Sequence, residues 1–221
     1  MILVKKYDEP QINMKEIFRY MGCKEATEDV FALCNECLAE IKGKLTYKVC
    51  YDSFDIDVCQ DSVNLGFVTF DSNGLSANLK DCHKAFIFAA TIGLEIDRLI
   101  SKYSRLSPSK ALCFQAIGAE RIESLCNIFN DEITANCQDQ GLYTRPRFSP
   151  GYGDLSLNLQ RNIFTVLDCP RKIGLSLNES LLMSPSKSVT AIIGVSKTPK
   201  SCSTISCIDC TKNDCQYRRE R

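Results

Sequence analysis

Apolar residues recur at three- and four-residue spacing between Thr27 and Ile41, where Val30, Phe31, Cys34, Cys37, Leu38 and Ile41 form one stripe. That period predicts a helix with one buried face, stopped by Lys42-Gly43. A shorter helix is predicted over Met14 to Met21. Tyr47 to Ile56, rich in Val, Tyr and Phe, predicts a strand. Phe67 to Phe70 predicts a second, entered after Gly66 and closed by the turn signal Asp71-Ser-Asn-Gly74. Ala85 to Ile92 is almost continuously apolar and predicts a buried strand, followed after Gly93 by a helix over Leu94 to Tyr103.

Ser107-Pro108 places a capping residue before a proline at the first helical position. The helix it opens is expected to run to about Thr134, with Leu112, Ala116, Ile122, Cys126 and Phe129 inward and Gly118 its weak point. Asn158 to Leu167 predicts a short helix, and Ser176 to Met183 a segment of mixed character. Ser188 to Ser196 is β-branched and apolar, as a central strand should be. After Thr198 the chain turns polar and cysteine-rich, so the predicted boundary separates a body, residues 1–198, from a tail, 199–221. No internal repeat is present. Strands and helices do not alternate strictly, so the expected class is α+β: a mainly antiparallel twisted sheet with flanking helices.

The 221 residues suffice for one large domain with a small appendage. Lys+Arg and Asp+Glu both number 27, and this balance argues against nucleic acid as a partner. No stretch approaches the roughly 20 apolar residues of a membrane span, and Met1 to Pro10 lacks the apolar core of a signal peptide. A cytoplasmic location is expected. Neither Gly-x-Gly-x-x-Gly nor a Walker-type Gly-Lys-Ser/Thr occurs. With His83 as the one histidine, read as a surface turn residue, hydrolase triads have no economical counterpart.

The most unusual segment is Arg145-Pro-Arg-Phe-Ser-Pro-Gly-Tyr-Gly-Asp154. Its prolines restrict the backbone, while Gly151 and Gly153 permit sharp turns or close approach of a ligand. Arg147 offers a planar guanidinium suited to a carboxylate, and Tyr152 a ring with a hydroxyl. Two readings stand: a preorganised loop for a small anionic or zwitterionic ligand, or a plain structural turn.

The motif Arg147-x-Ser-Pro-Gly-Tyr152, followed by Leu177-Asn-Glu-Ser180, Met183-x-Pro185 and Ser188-Val-Thr190, resembles the activation domain of vitamin B12-dependent methionine synthase. Phe88-Ala-Ala-Thr-Ile-Gly93, Ala116-Ile-Gly-Ala-Glu-Arg-Ile-Glu123 and Arg19-Tyr20-Met21-Gly22 look like the stand-alone proteins related to that domain. The resemblance spans most of residues 10 to 196. It implies an accessory protein that binds S-adenosylmethionine and reactivates an oxidised cobalamin, with the cofactors carrying the difficult chemistry. Arg147 then matches the arginine holding the ligand's carboxylate, with Ser149, Pro150, Gly151 and Tyr152 facing the ligand and the corrin. Glu123 matches the helix carboxylate for the cationic end, with Glu120 as runner-up.

Past the loop, the family's long form continues with a proline, a cysteine and an acidic–histidine pair, where this chain has Gly153-Asp154-Leu155-Ser156. Its other acidic contact, from an N-terminal segment, has no counterpart placed by sequence. No Asp-x-His-x-x-Gly motif is present, so cobalamin is implied to arrive on a methionine synthase or other corrinoid protein. An electron donor such as flavodoxin or ferredoxin is implied as a second partner.

Cys202, Cys207, Cys210 and Cys215 have Cys-x4-Cys-x2-Cys-x4-Cys spacing in polar surroundings. Four thiolates so placed can hold zinc or an iron–sulfur cluster; the plain alternative is a thiol-rich tail. Cys34 and Cys37 instead share the apolar stripe and read as core. The leading expectation is an S-adenosylmethionine-binding reactivation component, not a complete methyltransferase. The alternative is a metal- or cluster-bearing electron-transfer or interaction subunit of a corrinoid methyltransferase system that has lost ligand binding.

Overall fold

The nearly unbroken apolar runs at Ala85 to Ile92 and Ser188 to Ser196 reflect burial of both faces of one sheet, since alternate residues point to opposite sides. The structure, a computed structural model, describes residues 1–23 and 25–199. In chain order the elements are β1 (Leu3–Tyr7), α1 (Met14–Tyr20), α2 (Glu28–Ile41), β2 (Tyr47–Asp55), β3 (Asp57–Val58), β4 (Ser62–Asn64), β5 (Thr69–Asp71), α3 (Asn73–Asn78), β6 (Cys82–Thr91), α4 (Glu95–Leu106), α5 (Pro108–Gln138), β7 (Tyr143–Thr144), α6 (Leu159–Val166), α7 (Cys169–Ile173), β8 (Ser176–Leu177), β9 (Met183–Ser184) and β10 (Ser188–Ser196).

Five strands form the main sheet in the order β1-β2-β6-β10-β7, and every pairing is antiparallel. On one face Val49, Phe88, Ala90, Ala191 and Ile193 meet Cys34, Cys37, Phe114, Ile117 and Phe129 of α2 and α5. On the other, Cys50, Ile87, Ala89 and Ile192 meet Leu75, Leu79, Ile163 and Cys169 from α3, α6 and α7. The architecture is therefore α+β, three layers deep. Among the described residues no helix is long and apolar enough to cross a membrane.

Local chemistry explains the ends. Thr27 caps α2 by accepting from the Val30 N–H at 3.4 Å, with Glu28 and Asp29 in the first turn. Pro108 opens α5 as expected, but Ser107 makes no side-chain cap; its Oγ lies 3.2 Å from Ser109 Oγ instead. The helix reaches Gln138 rather than Thr134, and Leu112 is 49% exposed, contrary to its expected inward position. Cys113 and Phe114 beside it are fully buried, so Leu112 falls on the outward face of α5 with Gln115. Gly118 is no weakness either. A Cβ there would sit 2.8 Å from Ile96 Cγ2 and 2.9 Å from Lys187 Cε, so the missing side chain lets α4 and α5 approach.

Three further differences are local. The second predicted strand is shifted to Thr69–Asp71, and the supposed turn Asp71-Ser-Asn-Gly74 is the capped start of α3, with Ser72 Oγ accepting from the Leu75 N–H at 3.0 Å. Ser176 to Met183 becomes the β8–β9 hairpin. His83 is exposed but belongs to β6 rather than to a turn. The tail cysteines Cys202, Cys207, Cys210 and Cys215 lie outside the described residues.

Candidate functional site

The Arg145–Asp154 loop runs along the outer edge of β10. β7 pairs with Val195 and Ser196, the Arg145 N–H donates to Gly194 O, and Phe148 and Ile192 exchange backbone hydrogen bonds of 2.9 Å. The chain then turns sharply: Gly151 takes a φ of +86°, its N–H donates to Leu155 O, and the Tyr152 N–H donates to Ser149 O. Pro150 is buried and Ser149 half-buried. Tyr152 is presented outward, 58% exposed, its ring edge-on to Phe148 at 5.4 Å.

Across from the loop, α5 supplies Glu123, which forms an ion pair with Arg147 Nη2. Both side chains are half-buried. Arg147 Nη1 is buried with no hydrogen-bond partner among the described residues. Directly associated is Cys126, fully buried, whose thiol burial pushes up to about 12; Arg147 pulls it down and Glu123 pushes it up by lesser amounts. It therefore stays a neutral thiol at physiological pH.

Glu123 also lines a cleft of about 240 Å³ between α1 and α5. α1 and its cap contribute Asn13, Glu16 and Tyr20; α5 contributes Glu120, Glu123, Ser124 and Asn127. Burial, then the Glu123 charge, raises the Tyr20 hydroxyl above its ordinary value. Glu16 is paired with Arg19, whose guanidinium lies 4.3 Å from the Tyr20 ring centre.

Glu120, the runner-up, is almost wholly buried. Its carboxylate holds Arg121 (2.5 Å) and accepts from the Asn13 N–H and Ser124 Oγ, while Arg121 donates to Pro10 O and Gln11 O. These bonds fasten the approach to α1 onto α5. The structure thus brings together Arg147 and Glu123, commits Glu120 to packing, and sets Tyr152 on Phe148, whose ring belongs to the core on the sheet face opposite α5.

Sequence reading assigned no ligand role to Glu16 or Tyr20. Their four-residue spacing on α1 puts both on one helix face, which was the available signal. A second hollow of about 500 Å³, beside Arg161, Phe164 and Asp168, contains none of the predicted site residues.

The arrangement suits a zwitterion. A ligand carboxylate can replace Glu123 on Arg147 Nη2, and the freed Glu123 carboxylate can accept from a ligand ammonium. Such charge-assisted hydrogen bonds are roughly twice as strong as neutral ones. Among the described residues no group of three or more His, Cys, Asp or Glu is placed to hold a metal ion.

The fold is similar to that of a solved reactivation domain. A crystal structure of the MetH reactivation domain bound to AdoHcy superposes with a TM-score of 0.65 at 14% identity, over 91% of this chain and 80% of that one. No protein-family model matches the sequence, and no curated protein matches it.

Proposed function

We propose that this protein binds S-adenosylmethionine at the Arg147–Glu123 pair and the Tyr152 turn, and serves the reductive reactivation of cobalamin carried by a corrinoid methyltransferase. The observation that carries the reading is the facing of one guanidinium and one carboxylate across the loop, with Arg147 Nη1 left without a hydrogen-bond partner among the described residues. This polarity matches the amino-acid end of the ligand. The shared fold supports the reading, because the solved neighbour is bound to AdoHcy, the demethylated form of the same nucleoside.

The cofactor, once bound, supplies the methyl group. The chain's own residues bind and orient: Arg147 holds the carboxylate, Glu123 the cationic end, and the Ser149–Tyr152 turn presents backbone and ring. We take Tyr152, which is exposed and edge-on to Phe148, as the residue that meets an incoming corrin surface. The four tail cysteines are the proposed electron entry, supported by their Cys-x4-Cys-x2-Cys-x4-Cys spacing.

Calorimetric titration with S-adenosylmethionine tests the binding claim. Saturable binding is expected in the wild type. Arg147→Ala should weaken it by roughly ten- to a hundredfold, the scale of a lost hydrogen bond to a charged group. A wild type that gives no binding overturns the reading.

A further inference from the structure

Tyr152 is more than half exposed and, among the described residues, its aromatic contact is with Phe148, so its own packing does not fix it. Something else must hold the turn that carries it. Besides the Arg145 bond to Gly194 O and the Arg147–Glu123 pair, three contacts hold the loop. Along one side, the Phe148–Ile192 bridge attaches it to β10. On the other side, α3 holds it at both ends: Asn78 Nδ2 donates to Pro146 O at 3.2 Å, and the start of the helix engages Asp154.

The second of these is the densest contact of the loop. Asp154 Oδ1 accepts from Ser72 Oγ at 2.5 Å and from the Gly74 N–H at 3.1 Å, and Oδ2 accepts from the Asn73 N–H at 2.7 Å. The carboxylate thereby satisfies N–H groups that a helix start leaves without intrahelical partners, at the end where negative charge is favoured. The fit requires glycine at position 74. A Cβ there would lie 2.9 Å from Asp154 Oδ1 and 3.2 Å from Phe148 Cζ. Phe148, the ring under Tyr152, therefore packs against the same residue that Asp154 grips.

We infer that Asp154 is the positioning residue of the Arg147–Tyr152 loop, fastening it to the start of α3 so that Tyr152 and the turn are fixed before a ligand arrives. Its role in ligand binding rests on the S-adenosylmethionine reading above; its fastening of the loop does not. Asp154 touches no proposed ligand atom and acts through the backbone between itself and Tyr152. Loss of the tether leaves the ligand to order the turn, which lowers affinity without removing any direct contact.

Amide hydrogen exchange on the full-length protein without ligand reads the fastening, and calorimetry with S-adenosylmethionine reads its consequence. In Asp154→Ala the Gly151 and Tyr152 amides should exchange at least about tenfold faster. Amides of β6 and β10 should keep their protection, and ligand affinity should fall by roughly tenfold. Asp154→Asn, which keeps an acceptor but loses the charge, should fall between the two and remain folded if the alanine variant is not. Unchanged exchange at Gly151 and Tyr152 in both variants overturns the fastening. Faster exchange with unchanged affinity overturns the positioning role. A wild type that binds no S-adenosylmethionine strikes the functional reading alone, and the exchange comparison still decides the fastening.

Discussion

Two carboxylates three residues apart on α5, Glu120 and Glu123, have different fates. Glu120 is 2% exposed and locked to Arg121, which is itself fully buried and donates to the carbonyls of Pro10 and Gln11. Glu123 sits at the rim of the cleft and faces Arg147. Helical periodicity alone cannot separate them, because what buries Glu120 is a segment near the start of the chain. Removing one member of a buried pair leaves an uncompensated charge, at a typical cost of about 3–5 kcal/mol. Arg121→Met is therefore expected to destabilise the fold on that scale, lowering the melting temperature by roughly 6–20 °C for a domain of this size. Arg121→Met with Glu120→Gln should recover part of the loss. Thermal unfolding of the two variants checks both statements. If Arg121→Met melts like wild type, the pair does not hold α1 in place. The loop itself was legible at this scale: Arg147, Gly151 and Tyr152 could be singled out from residue chemistry. Glu16 and Tyr20 were not, because their relevance depends on α1 packing beside α5.

Elements were legible where their hydrophobic period was long. α2, α5, β2, β6 and β10 were expected within a few residues of where they lie. Short elements were lost when a turn signal and a helix start share residues, as at Ser72-Asn73-Gly74, where a capping serine and a glycine serve α3 and the Asp154 contact together. β1 was also missed, with no element expected in Met1 to Pro10, yet Lys5 and Tyr7 both bind Glu132 of α5, at 2.5 and 2.9 Å. Burial alone would raise the Glu132 carboxyl, but the bonds from Lys5 and Tyr7 outweigh it and hold it below its ordinary 4.5. A depressed folded value means that the latch contributes fully above pH 4.5 and is lost as the pH falls through that lower value. Denaturant unfolding across a pH series should show this acid loss in the wild type and a flatter profile in Glu132→Gln. Identical profiles would remove Glu132 from the account. At the α4–α5 contact, Gly118→Val should overpack the site against Ile96 and Lys187 and destabilise by about 1–3 kcal/mol. An unchanged denaturation midpoint would show that the helices can separate without penalty.

For the molecule as a whole, the three-layer α+β architecture follows from apolar runs that could not be amphipathic surface strands, and it is shared with a reactivation domain at only 14% identity. Such low identity carries the fold and leaves the chemistry to the site: an unlike-charged pair, a fastened turn and an exposed tyrosine. The proposed electron entry has its own check, iron and acid-labile sulfide assays on anaerobically purified protein; zinc alone, or no metal, would remove the redox role of the tail cysteines. The central claim is tested most directly by titrating S-adenosylmethionine into isotope-labelled protein and following the backbone amide resonances. The expected result is a saturable set of shifts centred on Glu123, Arg147, Gly151 and Tyr152. No saturable shift, or shifts centred away from this loop and helix, would contradict it.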